Sequence, residues 1–141
     1  MIELPAQMQP AKIIVVDDFE PIREFVCSRL QRDHAYQVVG QASDGAKGID
    51  LAERLQPDLI LLDIHLPNVN GIEAARRIAV SAPRSKIVFL SQDCDPEIVE
   101  QAMDTGAYGY IIKSELNREL FPALEAVARG ERFISSGLAQ S

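Results

Sequence analysis

The sequence predicts an α/β domain: a five-stranded parallel sheet, doubly wound, with helices on both faces. Five short apolar runs alternate with stretches of helical periodicity, and the connections between them are short. Such alternation implies parallel strands joined by right-handed crossovers. The chain of 141 residues is long enough for one domain with a core. No apolar run approaches the ~18 residues that a membrane helix needs.

The first half of the chain contains three predicted strands and two predicted helices. Residues 12–16 and 59–62 are continuous apolar runs, which is typical of strands buried on both faces. Residues 37–42 are more polar, which favours the edge of the sheet. Pro21 suits the first turn of helix 1, and Asp44-Gly45 opens helix 2, which Pro57 stops. The side chains predicted to face the core are Ile22, Phe25, Val26 and Leu30 in helix 1, and Ile49, Ala52 and Leu55 in helix 2.

The second half repeats this pattern. Asn70 is predicted to cap helix 3, and Glu73 stands at the capping-box position. Strand 4 covers residues 86–90 and ends at Ser91, and strand 5 covers residues 108–112. Asp95-Pro96 opens helix 4, which Gly106 ends; Ser114 is predicted to cap helix 5, which Gly130 ends. The predicted core-facing residues are Ile72, Ala75, Ile78, Ala79 and Ala82 in helix 3, Ile98, Val99 and Ala102 in helix 4, and Leu116, Leu120, Leu124 and Val127 in helix 5. Residues 1–11 are interpreted as an N-terminal tail, 12–130 as the domain, and 131–141 as an extension that begins a linker.

Charge and cysteine content limit the partners. The formal net charge is -7, which argues against direct nucleic acid binding, because contacts to phosphates need a basic surface. Cys27 and Cys94 do not have the spacing of a metal site. Two thiols without an export signal indicate a reducing compartment, so we expect a cytoplasmic protein that does not enter a membrane.

Acidic residues follow two strands that should be neighbours. In a doubly wound sheet, ligands bind at the carboxyl ends of the strands, where the strand order reverses. With five strands this point lies between strands 1 and 3, which end at Asp17, Asp18 and Asp63. Two carboxylates ~4 Å apart repel each other by about 4 kcal/mol at an effective dielectric constant of 20. A divalent cation would offset this repulsion, and oxygen ligands favour Mg²⁺, with Mn²⁺ as a substitute.

Two further strands end in residues that suit an oxyanion. Strand 4 ends at Ser91, a hydroxyl, and strand 5 is followed by Lys113, an ammonium. Together with a metal these groups suit a phosphoryl group, and the central Asp63 could be its acceptor. Taken singly, each residue is more often a turn former, a cap or a solvated charge. The joint occurrence of suitable residues at four of the five strand ends favours a functional site.

These residues resemble the receiver domain of two-component response regulators, the CheY-like family. The resemblance covers about residues 12–130 and implies the strand order 2-1-3-4-5. The matching segments are residues 15–19, 44–46 and 57–67, together with Gly71, Ser91, Gly106, Ala107, Tyr110 and Lys113.

The resemblance implies how the acids would act. Asp63 would accept a phosphoryl group from a phosphohistidine of a sensor histidine kinase or a phosphotransfer protein. Asp18, Asp63 and the backbone carbonyl of His65 would bind Mg²⁺ directly, and Asp17 would act through water. Lys113 would pair with the phosphoryl oxygens.

The resemblance also implies a switch. Ser91 would move toward the phosphoryl group and Tyr110 would follow inward. This movement would change the surface formed by helix 4, strand 5 and helix 5 and so control a downstream output. The protein is then a signalling domain with self-phosphorylation and self-dephosphorylation chemistry rather than an enzyme.

Three positions depart from the usual pattern of the family. Gln92 stands where a small residue is common, and His65 is bulky at a position that tends to tune self-dephosphorylation. Ser114 follows Lys113 where Pro is frequent, which leaves the isomer of that peptide bond open. The Lys113-Ser114 pair and residues 130–135 resemble the NarL/FixJ (LuxR-type) subfamily, which usually continues into a helix-turn-helix DNA-binding domain. We therefore expect a transcriptional output, with the cognate kinase and homodimer formation left open.

Two other functions remain open. A small Mg²⁺-dependent phosphohydrolase could also use Asp63 as nucleophile. Such an enzyme usually has a second acid just beyond the nucleophile, where this chain has His65, and a substrate cap, which is not visible here. An interaction module with an inactive site is the other alternative, and the intact acid set with Ser91 and Lys113 argues against it.

Overall fold

Within the described part of the chain, the sheet has six parallel strands in the order β2-β1-β3-β4-β5-β6. The computed structural model describes residues 9–138, so residues 1–8 of the predicted tail and 139–141 of the predicted extension lie outside it. The strands are β1 Ala11–Val16, β2 Tyr36–Ala42, β3 Leu59–Asp63, β4 Lys86–Ser91, β5 Gly109–Ile112 and β6 Phe133–Ile134. The helices are α1 Glu20–Gln31, α2 Gly45–Leu55, α3 Gly71–Ser81, α4 Pro96–Met103 and α5 Leu116–Ala128. The predicted fold class and the order of five strands are confirmed, and the sixth strand was not predicted.

Alternate residues of the central strands fill two cores on opposite faces of the sheet. On one face, the β-strand side chains pack against α2, α3 and α4; these side chains include Ile14, Val16, Ile60, Leu62 and Phe89. On the other face, α1 and α5 cover side chains that include Ile13, Val15, Leu59, Leu61 and Val88. Strands covered on both faces need apolar residues at every position, which explains their continuous apolar runs. As predicted, the more polar β2 lies at an edge of the sheet.

Three of the predicted helix caps are confirmed. The side chains of Asp44, Asn70 and Asp95 accept backbone N–H groups at the starts of α2, α3 and α4. The cap at Ser114 is wrong, because residues Lys113–Glu115 form a 3-10 turn and α5 begins only at Leu116. The described residues contain no cis peptide bond, so the bond between Lys113 and Ser114 is trans.

Two side chains predicted to face the core are exposed. Phe25 is 38% exposed, because α1 presents Val26, Cys27 and Leu30 to the sheet and Phe25 lies beside this stripe. Ala79 is exposed, because Ala74, Ala75 and Ile78 already form the buried face of α3. Both errors fall at the edge of an apolar stripe, where helical periodicity alone does not separate buried from exposed positions. No described helix has the length and apolar character needed to cross a membrane.

The loop between β3 and α3 is held close to the strand by Gly71. The Gly71 N–H donates to the carbonyl oxygen of Ile64 at 2.6 Å. A Cβ atom at position 71 would lie 2.0 Å from the carbonyl oxygen of Asp63 and 2.7 Å from Cα of Ile64. Only a residue without a side chain permits this approach, and so Gly71 sets the backbone position of Asp63.

We expect Gly71→Ala to lower the free energy of unfolding by about 3 kcal/mol, because the new methyl group must displace backbone atoms. Gly137→Ala is the matched control: its Cβ would meet only Cδ1 of Ile112, at 3.8 Å. The control should change stability by less than about 0.5 kcal/mol. Urea denaturation measures both, and equal midpoints for the two variants would contradict the proposed close packing.

Candidate functional site

Three aspartates meet at the carboxyl end of the sheet. Asp17 and Asp18 follow β1, and Asp63 is the last residue of β3. The two strands are adjacent and parallel, with Val16 opposite Leu62, so their ends lie side by side. One carboxylate oxygen from each of the three aspartates lies within 4.8 Å of the others. Asp17 and Asp63 are buried and Asp18 is exposed, which leaves the cluster open to solvent on one side.

Asp17 is held rigidly by its neighbours. Its Oδ1 accepts the N–H of Phe19 at 2.8 Å, and its carbonyl oxygen accepts from the guanidinium of Arg23 at 2.6 Å. Its Oδ2 is buried and pairs with Lys113 Nζ at 2.9 Å. A buried carboxylate oxygen with unused acceptor capacity suits a hydrated cation. The acid cluster therefore fits Mg²⁺ by its chemistry.

Lys113 brings a positive charge to the same cluster. It follows β5 directly, and its side chain is 11% exposed. Its Nζ lies 2.9 Å from Asp17 Oδ2 and 3.2 Å from Asp63 Oδ2. One ammonium thus faces three carboxylates, so two negative charges remain uncompensated when all the acids are ionised. A bound cation would balance this excess negative charge.

Burial and repulsion perturb the ionisation of Asp63. Burial, followed by the negative charge of Asp17, raises the pKa of Asp63 to about 6, although Lys113 and the His65 N–H act to lower it. Burial lowers the pKa of Lys113, but the contacts with Asp17 and Asp63 outweigh this effect and raise it. Asp63 therefore gives up its proton less readily than an ordinary aspartate, and a bound cation would favour its ionised form.

Ser91 and Tyr110, the two residues predicted to form the switch, are both fully buried. Ser91 ends β4, and its Oγ accepts the N–H of Asp93 at 3.0 Å. Tyr110 lies in β5, packs its ring 6.3 Å from that of Phe89, and donates its hydroxyl to the carbonyl oxygen of Asp93 at 2.9 Å. The backbone of Asp93 thus connects the two residues predicted to form the switch.

Asp93 was missed by the sequence analysis. In addition to its backbone contacts, its Oδ2 pairs with Nε2 of the exposed His65, which joins the β3–α3 loop to the β4–α4 loop. The only signal was its position two residues after Ser91, within an acidic stretch that looks like an ordinary helix start.

An open cleft gives access to Asp63. It has a volume of about 250 Å³ and is lined by Asp18, Phe19, Asp63, His65, Gln92 and Lys113. The structure therefore brings together the three predicted acids and Lys113. Gln92 and His65 line the same cleft, and Ser91 and Tyr110 are linked to each other through Asp93. Whether the carbonyl oxygen of His65 is a metal ligand stays a prediction.

Comparison with known proteins identifies this arrangement. The family described as the response regulator receiver domain matches residues 13–125. The chain belongs to this family. The receiver domain is 37% identical over 133 residues to the nitrate/nitrite response regulator NarL of Escherichia coli K12, an alignment that covers 94% of this chain and 62% of NarL. It is 36% identical to the transcriptional regulatory protein DegU of Brevibacillus brevis, over 87% of this chain and 52% of DegU. The receiver domain thus spans about half to two thirds of these relatives.

Solved structures agree with this assignment. A LuxR-family two-component response regulator from Aurantimonas superposes with a TM-score of 0.88 at 33% identity and covers 93% of this chain and 94% of that one. The signal receiver domain of a NarL-like regulator from Mycobacterium tuberculosis gives a TM-score of 0.83 at 30% identity, over 87% and 99% of the two chains. The predicted NarL/FixJ subfamily is therefore confirmed, and the chain is a signalling domain of a two-component system.

Proposed function

We propose that the receiver domain is phosphorylated on Asp63 in a Mg²⁺-dependent reaction, with a sensor histidine kinase or a phosphotransfer protein as donor. The observation that carries this proposal is the contact of Lys113 Nζ with Asp63 Oδ2 at 3.2 Å inside a cluster of three carboxylates. An acceptor carboxylate, a cation-binding acid pair and a fixed ammonium are the groups that phosphoryl transfer to an aspartate requires.

Each residue has a defined part in the transfer. An oxygen of Asp63 forms a bond to phosphorus while the bond between phosphorus and the donor histidine nitrogen breaks, and the electron pair stays on that nitrogen. Lys113 balances the charge of the phosphoryl oxygens. Asp18 and Asp63 would hold Mg²⁺ directly, with the His65 carbonyl oxygen, and Asp17 would act through water; Mn²⁺ would serve as well. When bound, the ion would neutralise charge on the carboxylates and the phosphoryl group.

The switch follows from the contacts around Asp93. A phosphoryl group adds about -1.5 to -2 charge, and the buried hydroxyl of Ser91 is a suitable donor to it. If Ser91 turns toward the phosphoryl group, its bond with the Asp93 N–H changes, and Asp93 also holds the Tyr110 hydroxyl. To move the domain from 1:99 to 99:1 active, phosphorylation must favour the active state by roughly 5.5 kcal/mol.

The proposed output is transcriptional. NarL is named as a response regulator and DegU as a transcriptional regulatory protein, and both are longer than this chain. A net charge of -7 does not suit phosphate contacts, so DNA binding would belong to a separate output domain. We propose a cytoplasmic location for such a protein.

Intact mass spectrometry tests the phosphorylation. Incubation with Mg²⁺ and phosphoramidate or acetyl phosphate should add one phosphoryl group in an alkali-labile bond. Asp63→Asn and chelation by EDTA should both abolish this adduct. Asp58→Asn is the matched control, because Asp58 lies at the opposite end of the sheet, where its carboxylate accepts the N–H of Lys12.

Two other outcomes would contradict the proposal. Multiple-turnover hydrolysis of organic phosphates would favour the phosphohydrolase. The absence of both adduct and metal binding would favour an inactive interaction module.

A further inference from the structure

The segment that follows α5 returns to the sheet and pairs with the strand that carries the switch tyrosine. The N–H groups of Phe133 and Ser135 donate to the carbonyl oxygens of Tyr108 and Tyr110, each at 2.9 Å. β5 thus lies between β4 and β6, and the C-terminal segment forms one of its two neighbours. After β6, the next hydrogen bond between this segment and β5 involves a side chain, that of Ser135.

Ser135 is fully buried and uses its hydroxyl group in two directions. The Ile112 N–H donates to Ser135 Oγ at 2.8 Å. The Ser135 hydroxyl contacts Oε1 of Glu119, and the N–H of Ser136 lies 3.3 Å from Oε2 of the same carboxylate. Because the Ile112 N–H can only donate, the hydroxyl proton is free to point to Glu119. Ser135 therefore accepts from β5 and donates to α5.

These two partners stand on either side of the turn that presents Lys113. Ile112 is the last residue of β5, the turn covers Lys113–Glu115, and Glu119 lies in the first turn of α5. The Lys113 ammonium must reach over the strand ends to Asp17 and Asp63, at 2.9 and 3.2 Å. A shift of the turn would move the ammonium away from both acids. No side-chain cap at the start of α5 opposes such a shift.

We infer that Ser135, together with Glu119, is a positioning residue for Lys113. The hydroxyl acts through the backbone of Ile112 and fixes the turn from the side opposite the acids. This inference rests on the proposed function for its consequence, because misplacing a charge-stabilising group by a fraction of an ångström slows a reaction that depends on orientation. It also makes the segment after Gly130 a support of the site rather than only a linker.

Replacing Ser135 tests the inference. Ser135→Ala leaves the Ile112 N–H without its acceptor and Oε1 of Glu119 without the serine hydroxyl, and it should slow phosphorylation by phosphoramidate about tenfold. Ser135→Thr restores the hydroxyl and should recover the rate to within about threefold. Ser136→Ala is the matched control, because Ser136 is exposed and contacts Glu119 through its backbone N–H; it should leave the rate unchanged.

A second readout, on the metal-free protein, separates positioning from general weakening of the fold. In Ser135→Ala, hydrogen exchange of the Ile112 amide should accelerate at least about tenfold, and the NMR signals of the Lys113 side chain should move toward those of a solvated lysine. If Ser135→Ala fails to fold, Glu119→Ala takes its place, because it keeps the bond between Ser135 and Ile112; it should give the same changes at smaller amplitude.

The outcomes distinguish the inference from the proposed function. Unchanged Lys113 signals in a folded Ser135→Ala or Glu119→Ala variant overturn the inference, even if the variant is less stable. A wild-type rate in Ser135→Ala, with a normal adduct on Asp63, overturns it as well. Failure of the wild-type protein to form any adduct would instead rule out the proposed phosphorylation. The hydrogen exchange and NMR measurements would still decide whether Ser135 positions Lys113.

Discussion

Asp63→Asn is expected to stabilise the metal-free protein at pH 7.5 by about 1–3 kcal/mol, although it destroys the proposed phosphorylation site. Burial and the charge of Asp17 raise the pKa of Asp63 from 3.8 to about 6, so ionisation of this carboxyl opposes folding. A shift of this size corresponds to about 3 kcal/mol. The lower end of the range allows for the loss of the contact with Lys113. An asparagine has the same shape without the charge and removes the penalty.

The sign of the effect follows from linkage. The folded-state pKa lies above the unfolded value, so the folded state binds the proton more tightly. The wild-type protein therefore keeps the contribution of this group below about pH 4 and loses it as pH rises through 6. Urea denaturation in EDTA should show a stability difference between Asp63→Asn and wild type near zero at pH 4 and largest above pH 7.

Magnesium provides the control for this prediction. A cation that binds only the folded wild-type protein stabilises it by mass action, so saturating Mg²⁺ should reduce or reverse the advantage of Asp63→Asn. If the variant is less stable than wild type at pH 7.5 in EDTA, burial and the charge of Asp17 do not destabilise the ionised Asp63 carboxylate as expected.

Lys113→Met is expected to slow phosphorylation of Asp63 by at least about 100-fold, because it removes a fixed charge that faces the phosphoryl oxygens. In the structure Lys113 Nζ contacts Asp17 and Asp63 at 2.9 and 3.2 Å. Methionine keeps most of the apolar length of the side chain, so the change isolates the ammonium. The time course of adduct formation with phosphoramidate, followed by intact mass, measures the rate.

The same substitution should destabilise the metal-free protein, since Asp17 and Asp63 then repel each other without an intervening cation. Lys47→Met is the matched control, because Lys47 is exposed on α2. A Lys113→Met variant that acquires the adduct at the wild-type rate would exclude a role for Lys113 in the transfer.

The main features of the fold and the site could be predicted from sequence, because both depend on simple patterns. Continuous apolar runs mark strands covered on two faces, and such strands bring the residues that follow them to one edge of the sheet. Asp17, Asp18, Asp63 and Lys113 therefore converge as predicted.

The residues that were missed lie where no periodicity exists. Asp93 acts mainly through its backbone, and β6 is only two residues long, so neither leaves a pattern. Ser135 looks like any serine in a polar extension, and its burial depends on a return of the chain that becomes visible only in three dimensions.

One aspartate, Asp63, is proposed to carry the phosphoryl group in a reaction that needs a divalent cation. Borohydride reduces an aspartyl phosphate to homoserine, which marks the modified residue permanently. After treatment with Mg²⁺ and phosphoramidate, borohydride reduction and peptide mass mapping should find homoserine at position 63, and EDTA should abolish it. Homoserine at position 17 or 18 instead, or an unmodified Asp63 under saturating conditions, would show that Asp63 is not the phosphoryl acceptor.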